Sequence, residues 1–234
     1  MLINGRCMDI KITLGTTYYE NPEYLYRFIK LNKDKVDEII IVDDYSTKFP
    51  AENLFDKEGN IQLYKVTKDY GFNSHGARNL IVNQAKNDWV CLIDVDREFH
   101  DEGRDLLNIY NHDLSTDVLY KFVCSVETFG KQRHKSVNDF LIHKDLFNMV
   151  GGYDEECIGY RTGDRQLFDQ ISNFAKIQTL SDVNLILTRP PTTLTQAKSY
   201  ERIIPKNLKD LFEERQLFPN KNKDTLTFDW EKVF

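Results

Sequence analysis

Short apolar runs alternate along this chain with polar stretches of helical period. Asp9-Ile10-Lys11-Ile12-Thr13-Leu14 alternates polar and apolar residues and meets Gly15-Thr16-Thr17-Tyr18-Tyr19, which predicts a first strand and the loop after it. Asn21-Pro22-Glu23 then gives a capping side chain, a proline at the first helical position and an acid in the first turn. Leu25, Phe28, Ile29 and Asn32 share one face, so a helix is expected over 22–33. Glu38-Ile39-Ile40-Ile41-Val42 reads as a buried strand that runs out into Asp43-Asp44-Tyr45-Ser46-Thr47. Ile61 to Val66 is a third strand. Lys68 to Asn79 is a loop entering a helix capped by Ser74, with Ala77, Leu80, Ile81 and Ala85 as its apolar stripe. Trp89-Val90-Cys91-Leu92-Ile93 is a fourth strand, ending in Asp94-Val95-Asp96.

Strands alternating with helices in this way predict an α/β fold with a mostly parallel central sheet flanked by helices. Beyond Asp96 the pattern changes. A helix is expected over 101–111, a long strand over 118–127, a basic loop from Thr128 to Lys135 and a strand from Asp139 to His143. A short helix over 144–150 is ended by Gly151-Gly152, and a polar loop from Tyr153 opens a helix over 164–175. Arg189-Pro190-Pro191 breaks the chain. The polar tail from Thr192 carries a further expected helix over 207–216, so residues 1–190 read as one catalytic-type domain and 191–234 as a C-terminal arm or lid.

Composition narrows the function classes. With 234 residues, 41% hydrophobic and 12% aromatic, the chain can build one sizeable core. The net charge of −6 gives no global basic field for nucleic acid. Four scattered cysteines form no C-x-x-C pair, so neither a zinc cluster nor a disulfide framework is suggested; Cys91 and Cys124 lie in apolar runs and read as buried thiols. No apolar stretch approaches a membrane span and no signal-like core opens the chain, so a soluble cytoplasmic protein is expected.

The chemistry sits at strand ends, where open α/β sheets place their ligands. Asp94 and Asp96, two apart, can share a divalent cation or divide a cation and a ligand hydroxyl; taken alone, such a pair is more often a solvated turn. Asp164, at the head of an expected helix, reads on its own as the cap of that helix. His143, at the end of an apolar run, reads as structural rather than as a metal ligand.

Five motifs in order then carry a resemblance: a Thr-rich first strand end, Val42-Asp43-Asp44-Tyr45-Ser46, Ala77-Arg78-Asn79, Asp94-Val95-Asp96 and Gly151-Gly152-Tyr153-Asp154-Glu155. Over roughly residues 9 to 175 the chain resembles the nucleotide-sugar-dependent glycosyltransferases of the GT-A fold, family 2 in particular. The resemblance implies a metal-dependent transfer from a nucleotide-diphosphate sugar, UDP-linked by preference, to an acceptor hydroxyl, with inversion. It implies donor-binding roles for Thr16, Tyr18, Asp43, Asp44, Arg78 and Asp94, a metal role (Mn²⁺ or Mg²⁺) for Asp94 and Asp96, and the base role for Asp164. Carboxylate oxygens suit those hard ions. The chain departs from the family pattern in having Gly163 where the family has an acid before the base, and in having no histidine after His143 to serve as a late metal ligand.

Two other readings stay open: a GT-A-like module that binds a glycan or nucleotide without catalysis, and a nucleotidyltransferase, which would bring a Gly-rich basic loop after the first strand in place of Thr16-Thr17-Tyr18-Tyr19. The ending Leu226 to Phe234 is similar to those of small phage-encoded glycosyltransferases. That implies a host-cytoplasm setting and adds modified bases of phage DNA to glycans and small molecules as acceptors, although the net negative charge argues against duplex DNA.

Overall fold

The computed structural model describes residues 10–99, 109–110, 112–126, 133–157, 163–187 and 224–234. In chain order the described elements are β1 (Ile12–Tyr18), α1 (Pro22–Asn32), β2 (Glu38–Asp43), β3 (Ile61–Val66), α2 (Ser74–Gln84), β4 (Trp89–Leu92), β5 (Arg97–Phe99), β6 (Val118–Val126), β7 (Arg133–His143), α3 (Lys144–Met149), α4 (Gly163–Ser172), β8 (Lys176–Leu187) and β9 (Trp230–Lys232). The strands form one sheet in the order β5-β8-β6-β7-β4-β1-β2-β3-β9. The expected helix over 207–216, all but residues 109 and 110 of the one expected over 101–111, and most of the basic loop lie outside the described residues.

The first half follows the alternating pattern. β3, β2, β1 and β4 are mutually parallel, as right-handed strand-helix-strand crossovers produce. Alternation along β2 sorts its side chains between two cores: Ile39 and Ile41 pack with Leu25, Phe28 and Ile29 of α1, while Ile40 and Val42 pack with Ala77, Leu80 and Ile81 of α2. The α1 face reads in the structure as it does in the sequence, with Leu25, Phe28, Ile29 and Asn32 buried. Gly15 lets α2 close on the sheet, because a Cβ there would lie 2.3 Å from Ile81 Cγ2. The cap of α2 is Asn73, whose Oδ1 accepts from the Gly76 N–H at 3.2 Å, rather than the expected Ser74.

Beyond β4 the sheet becomes mixed. β7 runs antiparallel to both β4 and β6, and β8 inserts parallel to β6 and antiparallel to the short β5. β7 starts at Arg133, so the end of the expected basic loop is strand. β8 has no counterpart in the sequence reading. Its pairing with β6 jumps from Phe122↔Leu180 to Val123↔Asn184, and that irregularity destroys the two-residue alternation by which strands are recognised.

Of the C-terminal arm, residues 224–234 are described. β9 pairs antiparallel with β3, Phe228 is buried, and Trp230 meets Tyr64 edge-on at 5.9 Å. Among the described residues no helix is long and apolar enough to cross a membrane. Cys91 and Cys124 are buried free thiols.

Candidate active site at the carboxyl ends of β1, β2 and β4

The strand ends supply two neighbouring groups of side chains. The first surrounds the loop after β2. Asp43, held at the end of a fully buried strand, accepts from the Ser46 N–H (2.8 Å) and the Ala51 N–H (2.7 Å), so it folds the 44–51 loop back on itself. Burial still pushes its carboxyl above the usual range. Asp44 accepts from the Asn73 N–H at 2.9 Å and so joins β2 to the start of α2. Tyr18 lies fully in the core and donates to the Phe49 carbonyl at 2.7 Å, while Thr16 is buried on the same strand. Glu20, which the sequence reading passed over, accepts from the consecutive N–H groups of Thr47, Lys48 and Phe49 at 2.6 to 2.9 Å. Tyr18 and Asp43 are thus placed as builders of this loop, and Tyr19, next to Tyr18, is the half-buried tyrosine at the strand end.

The second group is centred on Arg78, which α2 carries into the interior with only 4% of its side chain exposed. Its Nη2 donates to Asp94 Oδ1 at 2.7 Å. Its Nη1 lies 2.9 Å from the Tyr153 hydroxyl, 3.1 Å from Asp164 Oδ1 and 2.7 Å from the Asn138 carbonyl. Burial works against the charge, but Tyr153, Asp164, Asp94 and Asp139 together hold the guanidinium firmly protonated. Asp94 is also bonded by the Asn138 side-chain amide, so both of its oxygens are engaged. Of the sequence-predicted residues, Arg78, Asp94 and Asp164 therefore come together in one hydrogen-bonded cluster, although Asp94 and Asp164 stand 70 positions apart in the chain.

Asp96 sits differently. Its Oδ1 is buried and makes no hydrogen bond, and the nearest cation, Arg97 Nη1, is 3.7 Å away. Burial first, and the charge of Asp94 second, raise its carboxyl to about 7. Arg97 is itself held by Asp139, a fully buried carboxylate on β7 that accepts from Arg97 Nε (3.3 Å) and from the Asp94 N–H (2.9 Å). Asp139 and Arg97 were missed by the sequence reading. The available signal was a charge heading the apolar Phe140-Leu141-Ile142 run and a cation directly after Asp96.

The arrangement fits a divalent cation at Asp96. Four carboxylates (Asp94, Asp96, Asp139 and Asp164) face two guanidiniums, so the cluster carries an excess of two negative charges when all are ionised. The excess is felt at Asp96, whose buried Oδ1 lacks a hydrogen bond. Among the described residues no group of three or more His, Cys, Asp or Glu side chains gathers to hold a metal unaided. His143 caps α3 and stacks edge-on against Trp89 at 5.2 Å, the structural role expected of it.

The turn after α3 completes the site. Gly151 and Gly152 both take positive φ, and a Cβ on Gly152 would lie 2.7 Å from Asn79 Oδ1. Asn79 grips Tyr153 through both backbone groups at 2.9 Å and also donates to Glu155. Glu155 in turn accepts from Leu226 N, Thr227 N and Thr227 Oγ1, which ties the C-terminal segment to this turn. The absent acid at position 163 has a physical reason: a Cβ on Gly163 would lie 2.2 Å from His75 Nε2.

Asp43, Asp44, Asp94 and Asp96 thus stand at the carboxyl ends of parallel strands, where open α/β sheets place their ligands. The glycosyl transferase family 2 profile matches residues 14–171, and the chain belongs to that family. No curated protein matches the chain. Among solved structures it is similar to S. aureus TarS residues 1–349 in complex with UDP-GlcNAc, at 15% identity and a TM-score of 0.67, over 92% of this chain and 68% of that one. It is also similar to a second crystal structure of S. aureus TarS 1–349, at 17% identity and a TM-score of 0.59, over 76% and 60% of the two chains. At these identities the likeness concerns the fold.

Proposed function

We propose that this glycosyltransferase moves a sugar from a UDP-linked donor to an acceptor hydroxyl, with a divalent cation at Asp96 and Asp164 as the general base of an inverting displacement. The observation that carries the reading is the cluster in which one buried arginine joins Asp94 to Asp164 beside Asp96. The complex of the structurally similar TarS fragment with UDP-GlcNAc supports a UDP-sugar as the donor class.

Each residue then has a task. The 44–51 loop built by Asp43, with Asp44, Thr16 and Tyr18 behind it, forms the wall for the nucleoside. Asp94 fixes Arg78 and, through it, the orientation of Asp164. Asp96 is the carboxylate that would hold the ion, Mg²⁺ or Mn²⁺, which when bound would neutralise charge developing on the diphosphate leaving group. The acceptor oxygen attacks the anomeric carbon, the bond from that carbon to the diphosphate oxygen breaks with its electron pair, and the acceptor proton passes to Asp164. Only 19% of the Asp164 side chain is exposed, so the proton acceptor is shielded without being closed off. Attack opposite the leaving group gives inversion. The acceptor is any hydroxyl-bearing molecule that reaches Asp164, a glycan or a small molecule being the simplest.

A thermal-shift panel of nucleotide sugars tests this. A UDP-sugar with Mn²⁺ is expected to stabilise the protein by about 2.7 kcal/mol at one hundred times its Kd, and the gain shrinks when the ion is chelated. The same shift with every nucleotide, or none with any UDP-sugar, contradicts the donor assignment.

A further inference from the structure

We propose that Tyr153 is the positioning residue of the base: its phenol holds Asp164 in the orientation that turns the second carboxylate oxygen to the acceptor. This rests on the reading of Asp164 as the base. The Tyr153 hydroxyl donates to Asp164 Oδ1 at 2.7 Å and accepts from Arg78 Nη1 at 2.9 Å. Arg78 Nη1 also donates to Oδ1, at 3.1 Å, and among the described residues no hydrogen bond is made to Oδ2. A carboxylate pinned through one oxygen by a guanidinium and a phenol has its rotamer fixed and its other oxygen available.

The phenol is itself held with little freedom. Tyr153 is fully buried, where a hydroxyl without a partner would be costly. Its ring lies nearly parallel to the His75 ring, with centroids 5.2 Å apart and planes at 15°, and against Phe147 at 6.1 Å. Its backbone is gripped on both sides by Asn79. Burial and the neighbouring Asp164 drive its own pKa far up, so it stays a neutral donor.

The turn holds Tyr153 through its backbone N–H and carbonyl, so the hydroxyl is not demanded by the turn. The departure at Gly163 belongs to the same device. Without a side chain at 163 the His75 ring packs directly against the start of α4, and that ring is the platform on which Tyr153 lies. Tyr153, His75 and Gly163 thus form an interlocking set that aims one hydroxyl at Asp164. Asn79 makes the turn; Arg78, its neighbour on α2, completes the grip on the carboxylate.

The test is Tyr153→Phe in the full chain, assayed as UDP release from UDP-GlcNAc with Mn²⁺ and water as acceptor, with Asp164→Asn in parallel. The phenylalanine ring keeps the stacking on His75, so the fold persists. The expected result is a kcat lowered at least tenfold, with the KM for UDP-GlcNAc within twofold and the Tm nearly unchanged. An unchanged kcat in Tyr153→Phe beside an inactive Asp164→Asn overturns the role of Tyr153 and leaves the base reading standing. Retained turnover in Asp164→Asn overturns both. A Tm that falls together with a rise in KM shows a merely structural phenol and also overturns the proposal. A crystal structure of Tyr153→Phe gives a readout that needs no donor: Asp164 is expected in a different or a second rotamer, and an unaltered, single Asp164 conformation contradicts the role.

Discussion

Asp164→Asn is expected to lower turnover about a thousandfold while leaving donor affinity in place, within the range of a lost general base. The substitution is almost isosteric. The amide oxygen can still accept from Tyr153 and Arg78, as Asp164 Oδ1 does at 2.7 and 3.1 Å, so the cluster keeps its geometry. What is lost is a group that can take the acceptor proton. Kinetics of UDP release, combined with a donor Kd from thermal shift, separate the two effects. A variant that loses donor binding in proportion to turnover would place Asp164 in donor recognition instead.

Arg78→Met carries the second large effect, this time on the fold as well as the chemistry. Arg78 is buried while its partners Asp94 and Asp164 keep 32% and 19% of their side chains exposed. Removing the guanidinium strands two carboxylates beside Asp96 and Asp139 in a cluster already in negative excess. Breaking a buried pair costs about 3–5 kcal/mol, and the partial exposure of the carboxylates argues for the lower end, about 3 kcal/mol. For a domain of this size that is a fall in Tm of roughly 6–12 °C, measurable by calorimetry, with turnover abolished. A variant as stable as the parent would mean that solvent screens the cluster far better than its burial indicates. Lysine at 78 is a poor substitute, because a single ammonium cannot present the planar fork that reaches Asp94 through Nη2 and Asp164 through Nη1.

These two residues also mark how far the sequence could be read. Local patterns were legible where one face of an element is buried: the Leu25, Phe28, Ile29, Asn32 stripe of α1 and the continuous apolar run of β2 lie where periodicity puts them. The order of motifs was enough to bring Arg78, Asp94 and Asp164 into one site. What was not legible depends on long-range pairing. β8 is hidden by its register jump against β6, and Asp139 looked like the ordinary polar start of a strand until β7 laid it under Asp94. Tyr18 and Asp43 show a different limit. They sit at the right strand ends, yet one hydroxyl and one carboxylate are bound by the loop they build, so proximity in sequence to a site did not reveal which side chains face it. Tyr153 and Gly163 were visible as parts of a turn and as a departure from a pattern. The interlock with His75 that explains both exists only in three dimensions.

The C-terminal segment adds to this picture. Glu155 receives Asn79 from α2 and the Leu226-Thr227 backbone, so the chain's last residues support the turn that carries Tyr153. Support for the site from distant segments is what holds an oriented carboxylate to a fraction of an ångström.

On the proposed function, the cluster around Arg78 and Asp96 cleaves a UDP-sugar with the help of a divalent cation. This is tested most directly by UDP release from UDP-GlcNAc at pH 8, where the Asp96 carboxyl, raised to about 7, is mostly ionised. The wild type and Asp96→Asn are compared with Mn²⁺ and with EDTA. The wild type is expected to release UDP with Mn²⁺, and release is expected to be at least a hundredfold lower both in EDTA and in Asp96→Asn. Equal release by the two proteins, or release by the wild type that is indifferent to EDTA, would contradict it.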